Sequence, residues 1–190
     1  MWNACPNDSK RVVRHKMMYM LTKKISKQTI EEMLHLADVT AHTGRELGFP
    51  LCDTGMGIER SQEISSFGRE RKLIPFDDCG KHKKVGAFHT HPHGDNHAFP
   101  SFADIKTAYT VGLECISTKS KKYGPIVTCN ERKDKFSSSV LDNIVELNKS
   151  LQEQKMRTRS KIEIVRTHFN TTLITKHPKT KNLIATEYKY

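Results

Sequence analysis

The sequence predicts a strand-rich α/β domain, and three observations carry that expectation. Short apolar, β-branched or aromatic runs such as Leu47–Cys52 and Val85–Phe88 have the length and composition of buried strands. Two stretches, one after Thr29 and one after Ser101, show apolar residues at helical spacing behind a helix-capping signal. Clusters of Gly, Asp and Asn separate these segments and supply the turns. With 190 residues, the chain is long enough for one ordinary domain with extensions.

The elements follow in order. Residues 1–16 read as a polar, basic lead with no apolar block ahead of a cleavage site, so the cytoplasm is the expected compartment. Met17 to Thr22 is apolar enough for a first strand. Thr29-x-x-Glu32 forms a capping-box pattern, and Ile30, Met33, Leu34, Ala37 and Ala41 then repeat at helical spacing until Gly44. Leu47 to Cys52 and Glu63 to Leu73 read as strands on either side of the Gly55-Met56-Gly57 turn region. The Asp77-Asp78-Cys79-Gly80 cluster turns the chain into a strand over 85–91. A helix over 101–111 and strands over 114–118 and 125–129 come next.

The final third is expected to hold a helix and a β-extension. Leu141, Ile144, Val145, Leu147 and Leu151 make an apolar stripe on a helix that Ser137–Ser139 could cap. From Ile162 the pattern changes to β-branched alternation, Ile162-Ile164-Arg166 and Thr172-Ile174, followed by a His177-Pro178-Lys179 turn and a last strand over 182–188. The expected division is therefore a lead over 1–16, a main domain over 17–135, and a basic helix with β-extension over 136–190.

Composition narrows the class of partner. No run approaches the roughly 18 apolar residues of a membrane helix. The net charge of +11 is uneven: residues 1–24 hold six Lys/Arg against Asp8, residues 145–190 hold ten against four acids, and residues 25–144 balance at sixteen each. Basic ends on a neutral core could contact an acidic protein partner, a membrane surface or nucleic acid. A solvated surface is the simpler reading, because no aromatic-basic interleave accompanies the charge. Five cysteines, Cys5, Cys52, Cys79, Cys115 and Cys129, form an odd set without a C-x-x-C pair, so reduced thiols are expected.

The segment from His89 to Asp104 concentrates the chemistry. His89 and His91 stand at i and i+2 of the expected strand and so share a face. Ser101 and Asp104 share the first turn of the expected helix. Two imidazoles and a carboxylate leave a fourth position for water, which is the pattern of a hydrolytic zinc rather than a closed structural one. Ser101-x-x-Asp104 is equally a helix N-terminal cap. His93 and His97 lie in the intervening polar loop as less favoured ligands. A cysteine nucleophile served by His91 would leave Asp104 and Ser101 without a role. A zinc deaminase would need a Pro-Cys-x-x-Cys partner, which the sequence lacks.

His89-Thr90-His91-Pro92 followed by Pro100-Ser101-Phe102-Ala103-Asp104 resembles the signature of the JAMM/MPN zinc metalloproteases, which include deubiquitinating enzymes and prokaryotic relatives. The resemblance covers residues ~17–130 in outline. It implies an MPN (cytidine-deaminase-like) fold, a mixed β-sheet flanked by helices. It also implies Zn2+ on His89, His91 and Asp104, with Ser101 assisting at the oxyanion and an upstream glutamate as general base. The family places that glutamate in a Glu-x-x-Gly-x-Leu pattern. Glu46-Leu47-Gly48-Phe49-Pro50-Leu51 is the nearest counterpart, with its glycine one residue early. Glu46 is the first candidate, and Glu59, Glu63 and Glu70 are its competitors. The implied activity is hydrolysis of an amide bond at the C-terminus of a ubiquitin-like modifier. The alternative is a non-catalytic MPN-like scaffold that binds protein or nucleic acid through its basic ends.

Overall fold

A computed structural model of the chain describes residues 25–62, 64–67, 79–92, 99–133, 142 and 154–187. The first expected strand, the basic lead and the 141–151 stripe apart from residue 142 lie outside these residues. The described elements run α1 (Lys27–Thr43), β1 (Glu46–Asp53), β2 (Ile58–Arg60), β3 (Ser65–Phe67), β4 (Lys83–Thr90), α2 (Phe102–Val111), β5 (Leu113–Ser120), β6 (Gly124–Arg132), α3 (Gln154–His168), β7 (Phe169–Lys176) and β8 (Leu183–Glu187). The α/β class is therefore observed.

One mixed sheet organises the fold. Its order is β2-β1-β4-β5-β6-β7-β8, with β3 also paired to β1. Among the named strands only β4 and β5 pair in parallel, joined by the crossover through α2, and the other strand pairs are antiparallel; an isolated parallel bridge also joins Ile25 to Ile58 of β2. Gly86 enables the close approach at the start of that parallel pair, since a Cβ there would lie 2.7 Å from the Leu113 carbonyl oxygen.

Alternation along the strands divides the sheet into two faces. Phe49, Leu51, Phe88, Leu113, Cys115, Val127, Cys129 and Ile174 turn toward α1 and pack against Ile30, Met33 and Leu34. The Phe49 and Phe88 rings meet across β1 and β4 at 4.5 Å between centroids. On the opposite face, α2 and α3 join Phe102, Ile105, Ala108, Tyr109 and Val165 to Phe169 of β7.

Helix α1 starts earlier than expected. Ser26 is its cap, its hydroxyl accepting from the Thr29 N–H at 3.2 Å. Thr29 is buried inside the first turn, and its hydroxyl accepts from the Arg60 N–H, tying the helix to β2. The helix ends at Gly44, which adopts the left-handed conformation with φ of 68°. Of the strand expected over 63–73, the described part is β3, paired with Glu46–Gly48.

Two expectations are corrected. Ile162-Ile164-Arg166 is helical, not β: Val165 is buried beside α2 and Ile164 packs partly against the same cluster, so burial at helical spacing outweighs β-branched propensity. The downstream hairpin does form, as β7 and β8, and it continues the main sheet beyond β6 with Ile174 in the α1 core. The reduced-thiol expectation is also overturned, by disulfides Cys52–Cys79 and Cys115–Cys129. The sheet sets the second directly, because Cys115 and Cys129 occupy opposed positions of the β5–β6 hairpin. Cys5 lies outside the described residues.

Candidate metal centre

Three chain segments converge at the C-terminal end of β4. His89 lies within β4, and His91 follows one residue beyond it, its N–H donating to the Ser117 carbonyl at 2.8 Å so that the ladder to β5 continues. Between them Thr90 points to the other face, fully buried. Its hydroxyl meets that of Thr40 near the end of α1 at 2.6 Å and accepts from the Leu47 N–H at 2.8 Å. That junction fixes the start of β1 against the end of β4.

Asp104 arrives from α2 through a capping box. Ser101 is the N-cap: its hydroxyl accepts from the Asp104 N–H at 3.2 Å, and the Asp104 Oδ2 accepts from the Ser101 N–H at 2.6 Å. The cap reading and the ligand reading of Asp104 are compatible, because the carboxylate held by the cap also faces both histidines. The His89 and His91 Nε2 atoms are 2.9 Å apart. Asp104 Oδ1 lies 3.4 Å from His89 Nε2, and Oδ2 lies 3.7 Å from His91 Nε2. Ligands about 2.0–2.1 Å from a tetrahedral zinc are separated by roughly 3.3 Å, so the three atoms approximate one face of such a tetrahedron. This is the His/Asp/Cys/Glu group with metal-holding geometry among the described residues.

Burial and charge shape the cluster. Burial disfavours the charged form of His89, yet the Asp104 and Glu114 carboxylates, with a contribution from Glu46, outweigh it and raise its pKa to about 9. For Asp104, burial works upward, but His89 and His91 with the Ser101 hydrogen bonds hold its carboxyl below the ordinary value. A metal cation would take over the role of the His89 proton as counter-charge to these carboxylates.

Glu46 shares this neighbourhood. Gly48 pairs with His89 in the β1–β4 register, and Glu46, two residues earlier, stands on the same face of β1. Glu59 does not join the site: it pairs with Cys52 toward the far end of β1. Glu63, Glu70, His93 and His97 lie outside the described residues.

Sequence reasoning missed Glu114. The sequence pattern marks it only as the start of a strand, but its Oε1 sits 3.1 Å from His89 Nδ1. Burial pushes its carboxyl up to about 7, partly offset by the His89 hydrogen bond. A signal was present: an acidic residue inside the apolar Leu113-Glu114-Cys115-Ile116 run needs a buried partner. Compared with known proteins, the chain matches no family model and no curated protein.

Proposed function

We propose that the chain is a zinc-dependent peptidase or isopeptidase of the JAMM/MPN type with an MPN fold, acting on amide bonds at the C-terminus of ubiquitin-like modifiers. The observation that carries this reading is the convergence of His89 Nε2, His91 Nε2 and an Asp104 carboxylate oxygen at tetrahedral-face spacing, with Glu46 on the adjoining strand face. The donor set of two imidazoles and one carboxylate suits zinc with an open fourth position. The substrate class rests on the resemblance of the His89–Asp104 segment alone.

Zinc bound there would supply Lewis acidity, lowering the pKa of a water to near 7 and polarising the scissile carbonyl. Glu46 accepts the proton of the attacking water and later delivers it to the leaving amine. The Ser101 hydroxyl, which accepts from the Asp104 N–H, keeps its own proton to donate toward the developing oxyanion. Thr90 keeps β1 and β4 in register, so that Glu46 and the histidines hold their relative positions.

The basic ends would favour an acidic partner over nucleic acid. Among the described residues no helix is long and apolar enough to cross a membrane. Cytoplasmic placement is the sequence expectation, and the two disulfides weigh against it. The test is cleavage of a ubiquitin-like protein fused through its C-terminus to a reporter, by zinc-loaded wild type and Glu46→Gln. Glu46→Gln should keep its zinc and lose activity by roughly a hundredfold or more. Wild-type activity in that variant would move the base elsewhere, and an inert zinc-loaded wild type would contradict the substrate class.

A further inference from the structure

The α2 face of the sheet carries a buried polar row that the proposed chemistry does not use. Glu114 of β5 is directly paired with Asn130 of β6, which is directly paired with Thr171 of β7. All three point beneath the α2 and α3 side of the sheet, at 2%, 2% and 4% exposure. The Thr171 hydroxyl donates to Asn130 Oδ1 at 2.9 Å. At the other end Glu114 Oε1 lies 3.1 Å from His89 Nδ1. The middle link is implied by complementarity: Glu114 Oε2, an acceptor, and Asn130 Nδ2, a donor, are both buried without a well-formed hydrogen bond among the described residues, although the Ala108 backbone N–H also acts on the Glu114 carboxylate. Buried groups of this kind are costly to leave unpaired, and the two residues stand directly opposite each other in the β5–β6 ladder.

We infer that Glu114, held by Asn130 and Thr171, is the positioning residue of the metal centre: by accepting the His89 Nδ1–H it fixes the tautomer that turns the Nε2 lone pair toward the metal. This rests on the zinc reading of His89, His91 and Asp104, and adds to it a carboxylate–histidine–metal chain reaching three strands into the sheet. The physical reason is that a neutral imidazole carries one proton. A carboxylate claiming Nδ1–H leaves Nε2 free to ligate and increases its basicity.

Glu114→Gln preserves shape and an acceptor oxygen but removes the charge, and Asn130→Ala removes the support of Glu114 from β6. The full chain would be titrated with zinc against a chromophoric chelator and with Co2+ for its visible absorption, and histidine ring nitrogens would be followed by NMR. Glu114→Gln should bind zinc roughly ten- to hundredfold more weakly, with a changed Co2+ spectrum and, in the metal-free protein at a pH where His89 is neutral, loss of the single Nδ1–H tautomer. Asn130→Ala should shift both readouts in the same direction by less. Unchanged zinc affinity and Co2+ spectrum in Glu114→Gln would overturn this inference alone. A drop in apo-protein melting temperature with an unaltered Co2+ spectrum would also overturn it, by reducing Glu114 to a packing role. Failure of the wild type to bind zinc would overturn the inference together with the metal reading on which it rests.

Discussion

The two faces of one sheet are built on different principles. Toward α1, the inward positions that form the main cluster, from Phe49 to Ile174, are apolar or disulfide cysteines, with the buried Thr40–Thr90 hydroxyl pair at its edge, and the layer closes on Met33, Leu34 and the Phe49–Phe88 ring pair. Toward α2 and α3, the same strands present His89, Glu114, Asn130 and Thr171 beside Ile105 and Tyr109. The first face gains free energy by removing hydrocarbon from water, without regard to direction. The second spends some of that gain on hydrogen bonds whose direction matters, and it ends at the histidines. The apolar core and the candidate metal site are thus separated by a single alternation of side chains, residue 88 facing one way and residue 89 the other.

Substitutions on the two faces should therefore fail in different ways. The largest expected effect on stability is on the α1 face. Phe88→Ala removes a fully buried ring and should cost about 3–5 kcal/mol in urea unfolding, with zinc stoichiometry unchanged in the fraction that remains folded. An equal loss from Asn130→Ala would erase the contrast.

Asp104→Asn sharpens the comparison from the other side. It removes one ligand charge and weakens the capping box of α2, so apo stability should fall by only about 1 kcal/mol. Zinc affinity should fall by more than the roughly hundredfold upper range of outer-sphere changes. A large stability loss with intact zinc binding would make Asp104 a structural cap only.

Proton linkage gives the smallest and most graded test. His89 has its folded pKa raised to about 9 from 6.5. In the apo protein its contribution to stability is fully present below pH 6.5 and lost as pH rises through about 9. Glu114, raised to about 7 from 4.5 by burial, acts in the same direction across the window between those values. Zinc must displace the His89 proton, so its affinity should rise about tenfold per pH unit from pH 7 toward 9. Calorimetry in buffers of different ionisation enthalpy would count the released proton, and zinc uptake without release at pH 7 would refute the shift.

What was legible in the sequence is what depends on near neighbours. His89 and His91 share a face through strand alternation, and Ser101-x-x-Asp104 forms its cap within one helical turn. Gly44 ends α1 through its own backbone freedom. Glu114 was not legible as a partner of His89, because that contact depends on the parallel β4–β5 register, which pairs Ala87 with Glu114 across the α2 crossover. Likewise α3 takes its helical form from burial of Val165 beside α2, a partner distant in sequence. The Cys115–Cys129 bond could have been read, since both residues lie seven positions from Lys122 at the centre of the β5–β6 turn.

The most direct measurement of the central claim is metal content and affinity in wild type beside His89→Ala and His91→Ala. The account predicts one zinc per wild-type chain, lost on dialysis from both variants, with their apo forms still folded by circular dichroism. Full zinc occupancy in either variant, or no zinc held by the wild type, would contradict it.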